Sequence, residues 1–180
     1  MAKTTRSKEP PQLHAGLDLS LTSPGFAVIE VRNRQAHLIA TSNVKTVADE
    51  AQPLRYEVIE AHALLFFRKH SGLTTIVREI WPPSRNFAQN DKVHGAWSAV
   101  DRALSRLGLE VTVNLAPPTV KKTLCGSGSA DKKEVAAAVR RICRLPDDYK
   151  FATDDESDAA AIVLAHLIRE NLIDGGNVNG

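Results

Sequence analysis

LHAGLDLSLTSPGFAVIEVRNRQAHLIATS, residues 13–42, decides the fold. Its runs 13–19, 25–31 and 37–42 are β-rich, and turn residues such as Ser20, Ser23, Pro24 and Asn33 separate them. Runs of this kind joined by tight connections read as three strands linked as hairpins. Downstream the period changes. Leu54, Val58, Ala61 and Leu65 recur at helical spacing and predict a first helix over 53–70. Residues 73–81 read as a fourth strand, ended by Pro82 and Pro83. A second helix follows with Val93, Trp97, Val100, Leu104 and Leu107 on one stripe. Gly108 stops it, and 109–115 form a fifth strand before Pro117 and Pro118. Two helices complete the chain. One covers about 131–143, where Asp131 and Glu134 are spaced as a capping pair; the other covers about 154–173, with Thr153 as N-cap and Glu156 as its capping-box partner. The expected order is β-β-β-α-β-α-β-α-α. It describes an α/β fold: a five-stranded mixed sheet, three antiparallel strands and then parallel ones, with helices on both faces.

The 180 residues suffice for one domain with a real core, and 43% hydrophobic with 24% charged residues is ordinary for a soluble globular chain. Two cysteines, Cys125 and Cys143, exclude a disulfide scaffold and point to a reducing compartment. The leader MAKTTRSKEPPQ (1–12) has no apolar stretch, so it reads as flexible rather than as a signal peptide, or, more sharply, as a basic arm touching DNA phosphates. The segment 174–180 reads as a flexible tail, which leaves a single domain over 13–173. No apolar run approaches the ~20 residues of a membrane span. The 23 Lys and Arg against 21 Asp and Glu leave +2, which argues for nucleic acid only if the bases are gathered on one face.

The acids carry the chemistry. Asp18 lies between Leu17 and Leu19 late in a strand, and a carboxylate among apolar neighbours needs compensation. A metal ion supplies it; a cap on the following turn is the plainer alternative. Glu79 repeats the pattern near the end of TTIVREIWPP, where an exposed edge acid paired to a base is the alternative. Asp155 and Asp158, three apart, share a helical face that continues through Ile162 and so points to the sheet. Asp154 and Glu156 suit the ordinary role of acids in a first turn. Asp158, a turn further in and followed by three alanines, does not. Four such carboxylates can hold two hard cations, and Mg²⁺ needs few of them because it keeps several waters. Two ions at roughly 3.5–4 Å activate a water and stabilise a leaving oxygen in phosphodiester cleavage. No Cys/His spacing suggests zinc, and no GxxxxGK[ST] loop suggests a nucleotide cofactor.

A longer pattern contains these residues. APPTVKKTLCGSGSADKKEVAAAVRRICRLPDDYKFATDDESDAAAIVLAHL, residues 116–167, carries TVKK, GSGSADKKEV and DESDAAA in an order and spacing that resembles the RuvC-type Holliday-junction resolvases. These form a branch of the RNase H-like (retroviral-integrase-like) nuclease superfamily. The resemblance covers about residues 13–170 and agrees with the strand order. It implies an RNase H-like fold, with Asp18, Glu79, Asp155 and Asp158 as ligands for one or two Mg²⁺ ions per site, Mn²⁺ substituting. It implies a catalytic and DNA-contacting role for Lys121, and DNA contacts from Lys122, Lys132, Lys133, Arg85 and Phe87. The activity implied is crossover junction endodeoxyribonuclease: paired nicks in a four-way junction, made by a homodimer in recombination and repair, in the cytoplasm of a bacterial cell.

The chain also departs from the family. GLDLSLTSPG stands where the usual signature is GIDPG, a variant similar to phage-borne members, and the stretch after Glu79, IWPPSRNFAQNDKVHG, is unlike the usual one. Trp81 or Phe87 would be the aromatic that wedges into the junction. Trp97 and Val100 on the second helix read either as a dimer surface or as ordinary core. Lys121, Lys122, Lys132, Lys133, Arg140, Arg141 and Arg144 fall in one third of the chain and would supply the local positive field. Three other readings stay open: a nuclease of broader taste acting on branched or flap DNA, a junction-binding module without cleavage, and an actin-like phosphotransferase, for which 180 residues are too few.

Overall fold

In the computed structural model, which describes residues 10–80 and 87–174, a mixed five-stranded sheet has the order β3-β2-β1-β4-β5. Strand β1 (Gln12–Asp18) lies at its centre. It pairs antiparallel with β2 (Gly25–Arg32), which pairs antiparallel with β3 (Gln35–Asn43). On its other side β1 runs parallel to β4 (Leu73–Glu79), and β4 to β5 (Val113–Leu115). Helix α1 (Gln52–Arg68) connects β3 to β4, and α2 (Phe87–Arg106) connects β4 to β5. Three helices end the fold: α3 (Pro117–Cys125), α4 (Lys132–Cys143) and α5 (Asp154–Arg169).

Strand alternation sorts the side chains into two cores. Ala15, Leu17, Phe26, Val28 and Ile76 pack with α1 and α2. Ala27, Ile29 and Val77 face the other way, onto α3, α4 and α5. His14, Gly16 and Asp18 alternate with Ala15 and Leu17 and so point to the α5 side. Glycine is required at Gly16, where a Cβ would overlap the carbonyl oxygen of Ala159; Ala159, Ala160 and Ala161 then let α5 lie directly on β1. Gly25 meets the carbonyl of Asp155 in the same way. Helix α5 is therefore apolar nearly all round and almost wholly buried. Among the described residues no helix is long and apolar enough to cross a membrane.

Four sequence expectations need correction, and one pair of open readings is narrowed. Helix α3 is an element absent from the expected order: Pro117 and Pro118 open it, because proline suits the first helical turn, and left-handed Gly126 closes it. The fifth strand spans three residues rather than seven. Helix α1 forms, but it buries Arg55, Ile59, Ala63, Phe66 and Phe67, so Leu54 and Leu65 are exposed at 46% and 60%. Of the two readings of the α2 stripe, Val100 fits ordinary core, since it is fully buried, while Trp97 is half-buried under Arg78, 4.1 Å from the guanidinium carbon to the ring centre. Finally, Thr153 does occupy the N-cap of α5 but its hydroxyl makes no cap bond, and Glu156 turns back instead to Ala152 N–H (3.1 Å) and the Thr41 hydroxyl (2.9 Å). The Asp131–Glu134 capping box on α4 forms as expected. The expected leader and tail lie almost wholly outside the described residues, although β1 begins at Gln12 and Asp174 binds Arg34 at 2.8 Å.

Candidate active site

Strands β1 and β4 are parallel neighbours with Leu17 opposite Arg78, so Asp18 and Glu79 end side by side at the carboxyl edge of the sheet. The close seating of Ala159 on Gly16 fixes α5 against β1 and sets Asp158, one residue earlier, over that edge. Helices α3 and α4 bring Lys121 and Lys132. These five side chains line one cleft of about 220 Å³, walled by Pro117, Val120, Val135, Ala161 and Ile162. It opens where ligands characteristically bind in α/β sheets, beyond the carboxyl ends of the parallel strands.

The cleft is electrostatically strained by its acids. Burial, then the charges of Glu79, Asp158 and Asp155, push the Asp18 carboxyl up to about 8, and Lys132 offsets this only in part. Burial and Asp158 push Glu79 up to about 7, against Lys121. Asp158 is raised as well, again first by burial. The Lys132 ammonium lies 3.4 Å from Asp154 and 3.7 Å from Asp158, so it straddles the first turn of α5. Near neutral pH the cleft lacks enough positive charge to keep all its carboxylates ionised.

Asp155 is placed differently. It does not line the cleft, although its charge is felt at Asp18. Its Oδ2 accepts a 2.7 Å hydrogen bond from the hydroxyl of Ser23, in the β1–β2 loop, and Ser23 Oγ accepts one from Asn43 Nδ2 at 3.2 Å. Lys122 and Lys133 are exposed and stand off the cleft. Phe87, the first residue of α2, is 82% exposed. Trp81 and Arg85 lie outside the described residues. Sequence reasoning missed Ser23, Asn43 and the Glu156–Thr41 bond. Only α3 had a readable signal, its Pro-Pro start.

The donor set suits a hard divalent cation. Every candidate ligand is a carboxylate oxygen, and the raised acids are what an added positive charge would relieve. Among the described residues no three His, Cys, Asp or Glu side chains stand close enough together to hold a metal ion between them as they are now placed. An ion that keeps several waters needs only one or two carboxylates on an open cleft.

Comparison with known proteins follows the same line. The family model for the crossover junction endodeoxyribonuclease RuvC matches residues 15–166. A protein of that name from Salinispora arenicola is 34% identical over 164 residues, covering 86% of each chain. The structure of Thermus thermophilus RuvC in complex with Holliday junction substrate superposes with a TM-score of 0.76 at 30% identity, covering 89% of this chain and 96% of that one. The yeast mitochondrial Holliday junction resolvase shares the fold, with a TM-score of 0.62 at 12% identity over 88% of this chain and 79% of that one.

Proposed function

The chain belongs to the crossover junction endodeoxyribonuclease RuvC family, and from that premise we propose that it resolves four-way DNA junctions by hydrolysing one phosphodiester in each of two strands. The observation that carries this reading is the meeting of Asp18, Glu79 and Asp158 with Lys121 and Lys132 in one cleft at the sheet edge. Asp18, Glu79, Asp158 and Asp155 would hold Mg²⁺, with Mn²⁺ able to substitute. Bound there, divalent cations supply the activation of water and the neutralisation of phosphate charge that hydrolysis needs.

The remaining work falls to the chain itself. The carboxylates of Asp18 and Glu79, on adjacent strands, hold a fixed separation because the sheet holds it. Asp158 and Asp155 come from one face of α5, and the close seating of Ala159 on Gly16 sets how near that helix lies to the sheet. Lys121, on α3, lines the same cleft and would stabilise charge that grows on the phosphate oxygens. Lys132 is bound to Asp154 and Asp158 and exchanges those carboxylates for phosphate as DNA enters. Lys122, Lys133 and the bases of α4 give the sequence-independent attraction to the backbone. Phe87, the exposed first residue of α2, would stack on an unpaired base at the crossover. A four-way junction is close to two-fold symmetric, and a symmetric homodimer supplies two such clefts from one sequence.

The test is incubation with a synthetic four-way junction in Mg²⁺, each strand labelled in turn. Paired, symmetry-related nicks are expected, with Asp18→Asn retaining junction binding and losing cleavage. Cleavage of forks and flaps at the same rate would replace this reading by the broader branched-DNA nuclease. Full cleavage by Asp18→Asn would overturn the assignment of the site.

A further inference from the structure

The loop between β1 and β2 is held more firmly than a surface connection requires. The Thr46 backbone N–H donates to Thr22 O at 3.0 Å and its hydroxyl to Leu21 O at 2.6 Å. Arg55, only 6% exposed, donates through Nε to the Thr46 hydroxyl at 2.9 Å and through its terminal nitrogen towards Thr22 Oγ1 at 3.4 Å. Within the loop the Ser23 N–H donates to Ser20 Oγ at 3.0 Å. A charged side chain is thus buried against the turn, and its hydrogen bonds to Thr46, Leu21 and Thr22 offset the cost of burying it while fixing the loop.

The turn ends at Ser23, and Ser23 faces Asp155. A hydroxyl has one proton to donate. Here it goes to Asp155 Oδ2 at 2.7 Å, the short distance of a charge-assisted bond, while Asn43, the last residue of β3, donates to the same oxygen of Ser23. Three elements therefore converge on one carboxylate: the loop, the end of β3 and the first turn of α5. A first-turn aspartate left alone has several rotamers and a competing ammonium close by, since Lys132 already holds Asp154 and Asp158. The hydrogen bond from Ser23 selects one rotamer and engages only one of the two carboxylate oxygens.

We propose that Ser23, oriented by Asn43 on the loop that Arg55 pins, is a positioning residue that holds Asp155 ready for a divalent cation. The inference rests on the reading of the cleft as a metal site and adds residues that touch neither substrate nor cation. Orienting partners of this kind characteristically account for 10- to 100-fold in metal affinity.

The experiment measures Mn²⁺ binding to the DNA-free protein by calorimetry, and separately the Mg²⁺ dependence of junction cleavage. Ser23→Ala should weaken Mn²⁺ binding at least 10-fold and move half-maximal cleavage to correspondingly higher Mg²⁺, with junction affinity and the rate at saturating Mg²⁺ near wild type. Ser23→Thr, which keeps the hydroxyl, should restore both. In an Asp155→Asn background Ser23→Ala should change nothing further, because the carboxylate it orients is gone. Unchanged Mn²⁺ affinity in Ser23→Ala, or effects of the two substitutions that simply add, would overturn the proposal. If the wild type binds Mn²⁺ in a Ser23-dependent way but leaves four-way junctions intact, the positioning role stands and the junction reading fails.

Discussion

Asp18→Asn separates a buried, repelled carboxyl from an ordinary surface acid. Burial and the neighbouring acids push Asp18 up to about 8 in the folded protein, while the unfolded chain returns it to the usual ~3.9. Between those values the native state binds a proton that the unfolded state has lost, so stability falls as pH rises through the window. His14 has the opposite sign. Burial, with His166 nearby, lowers it to about 4, so stability rises with pH until the unfolded histidine has titrated near ~6.5. From about pH 6.5 to 8 the histidine contribution is flat and the carboxyl loss shows. At about 1.4 kcal/mol per proton and pH unit, tapering near the folded pKa, Asp18 costs the metal-free protein about 1.5 kcal/mol over that interval. For a domain of this size that is about 3–6 °C in Tm. Thermal unfolding in EDTA, followed by circular dichroism, should show wild type losing that much against Asp18→Asn between the two pH values. Millimolar Mg²⁺ at about pH 8 should then stabilise wild type and leave the variant almost unmoved. Parallel Tm–pH curves in EDTA would refute the strained-acid argument, and equal stabilisation by Mg²⁺ would refute Asp18 as a ligand.

Other outcomes follow from packing and charge. Gly16→Ala forces a methyl into the Ala159 carbonyl, so α5 must shift; a loss of about 1–3 kcal/mol in urea unfolding is expected, with cleavage falling as Asp158 moves off the sheet edge. Glu156→Ala leaves the Thr41 hydroxyl and the Ala152 N–H without their partner and should cost about 1–3 kcal/mol, while Mn²⁺ affinity measured well below Tm stays near wild type. Lys133→Ala, exposed and off the cleft, should weaken binding alike for every junction sequence and lower the slope of log affinity against log salt by about one, without changing the rate on bound DNA.

Much of the fold was legible because its signals are local. The hairpin strands and the parallel alternation follow from period and turn residues, and the Asp131–Glu134 box is a pattern of adjacent positions. What was not legible depends on tertiary context. On α1 the sequence has two candidate apolar stripes, and Phe26 packing on Phe66 and Phe67 selects the one that buries Arg55 rather than the one with Leu54 and Leu65. Glu156 has the spacing of a capping partner, but a threonine on a distant strand offers it a better bond. At the site, Asp18, Glu79 and Asp158 could be nominated as acids at strand ends and on a sheet-facing helix stripe. Ser23 and Asn43 could not, since the bond that gives them meaning spans 132 residues of chain.

The near-neutral total charge is consistent with a DNA-cleaving protein once its distribution is considered. The acids that titrate abnormally are gathered at one edge of the sheet, three of them around a cleft that also admits Lys121 and Lys132. The neighbouring lysines of α3 and α4, Lys122 and Lys133, are exposed and stand off the cleft. Under the proposed function each group would answer a different part of phosphodiester chemistry: the bases would attract the polyanion, and the acids, raised by burial and by one another, would be relieved by cations as the phosphate approaches. A carboxylate cluster alone would repel DNA, and a basic face alone would bind it without cutting. On the proposed function their juxtaposition would make the ion the link between binding and hydrolysis, so loss of the ion should abolish cleavage while leaving the salt-dependent part of binding in place.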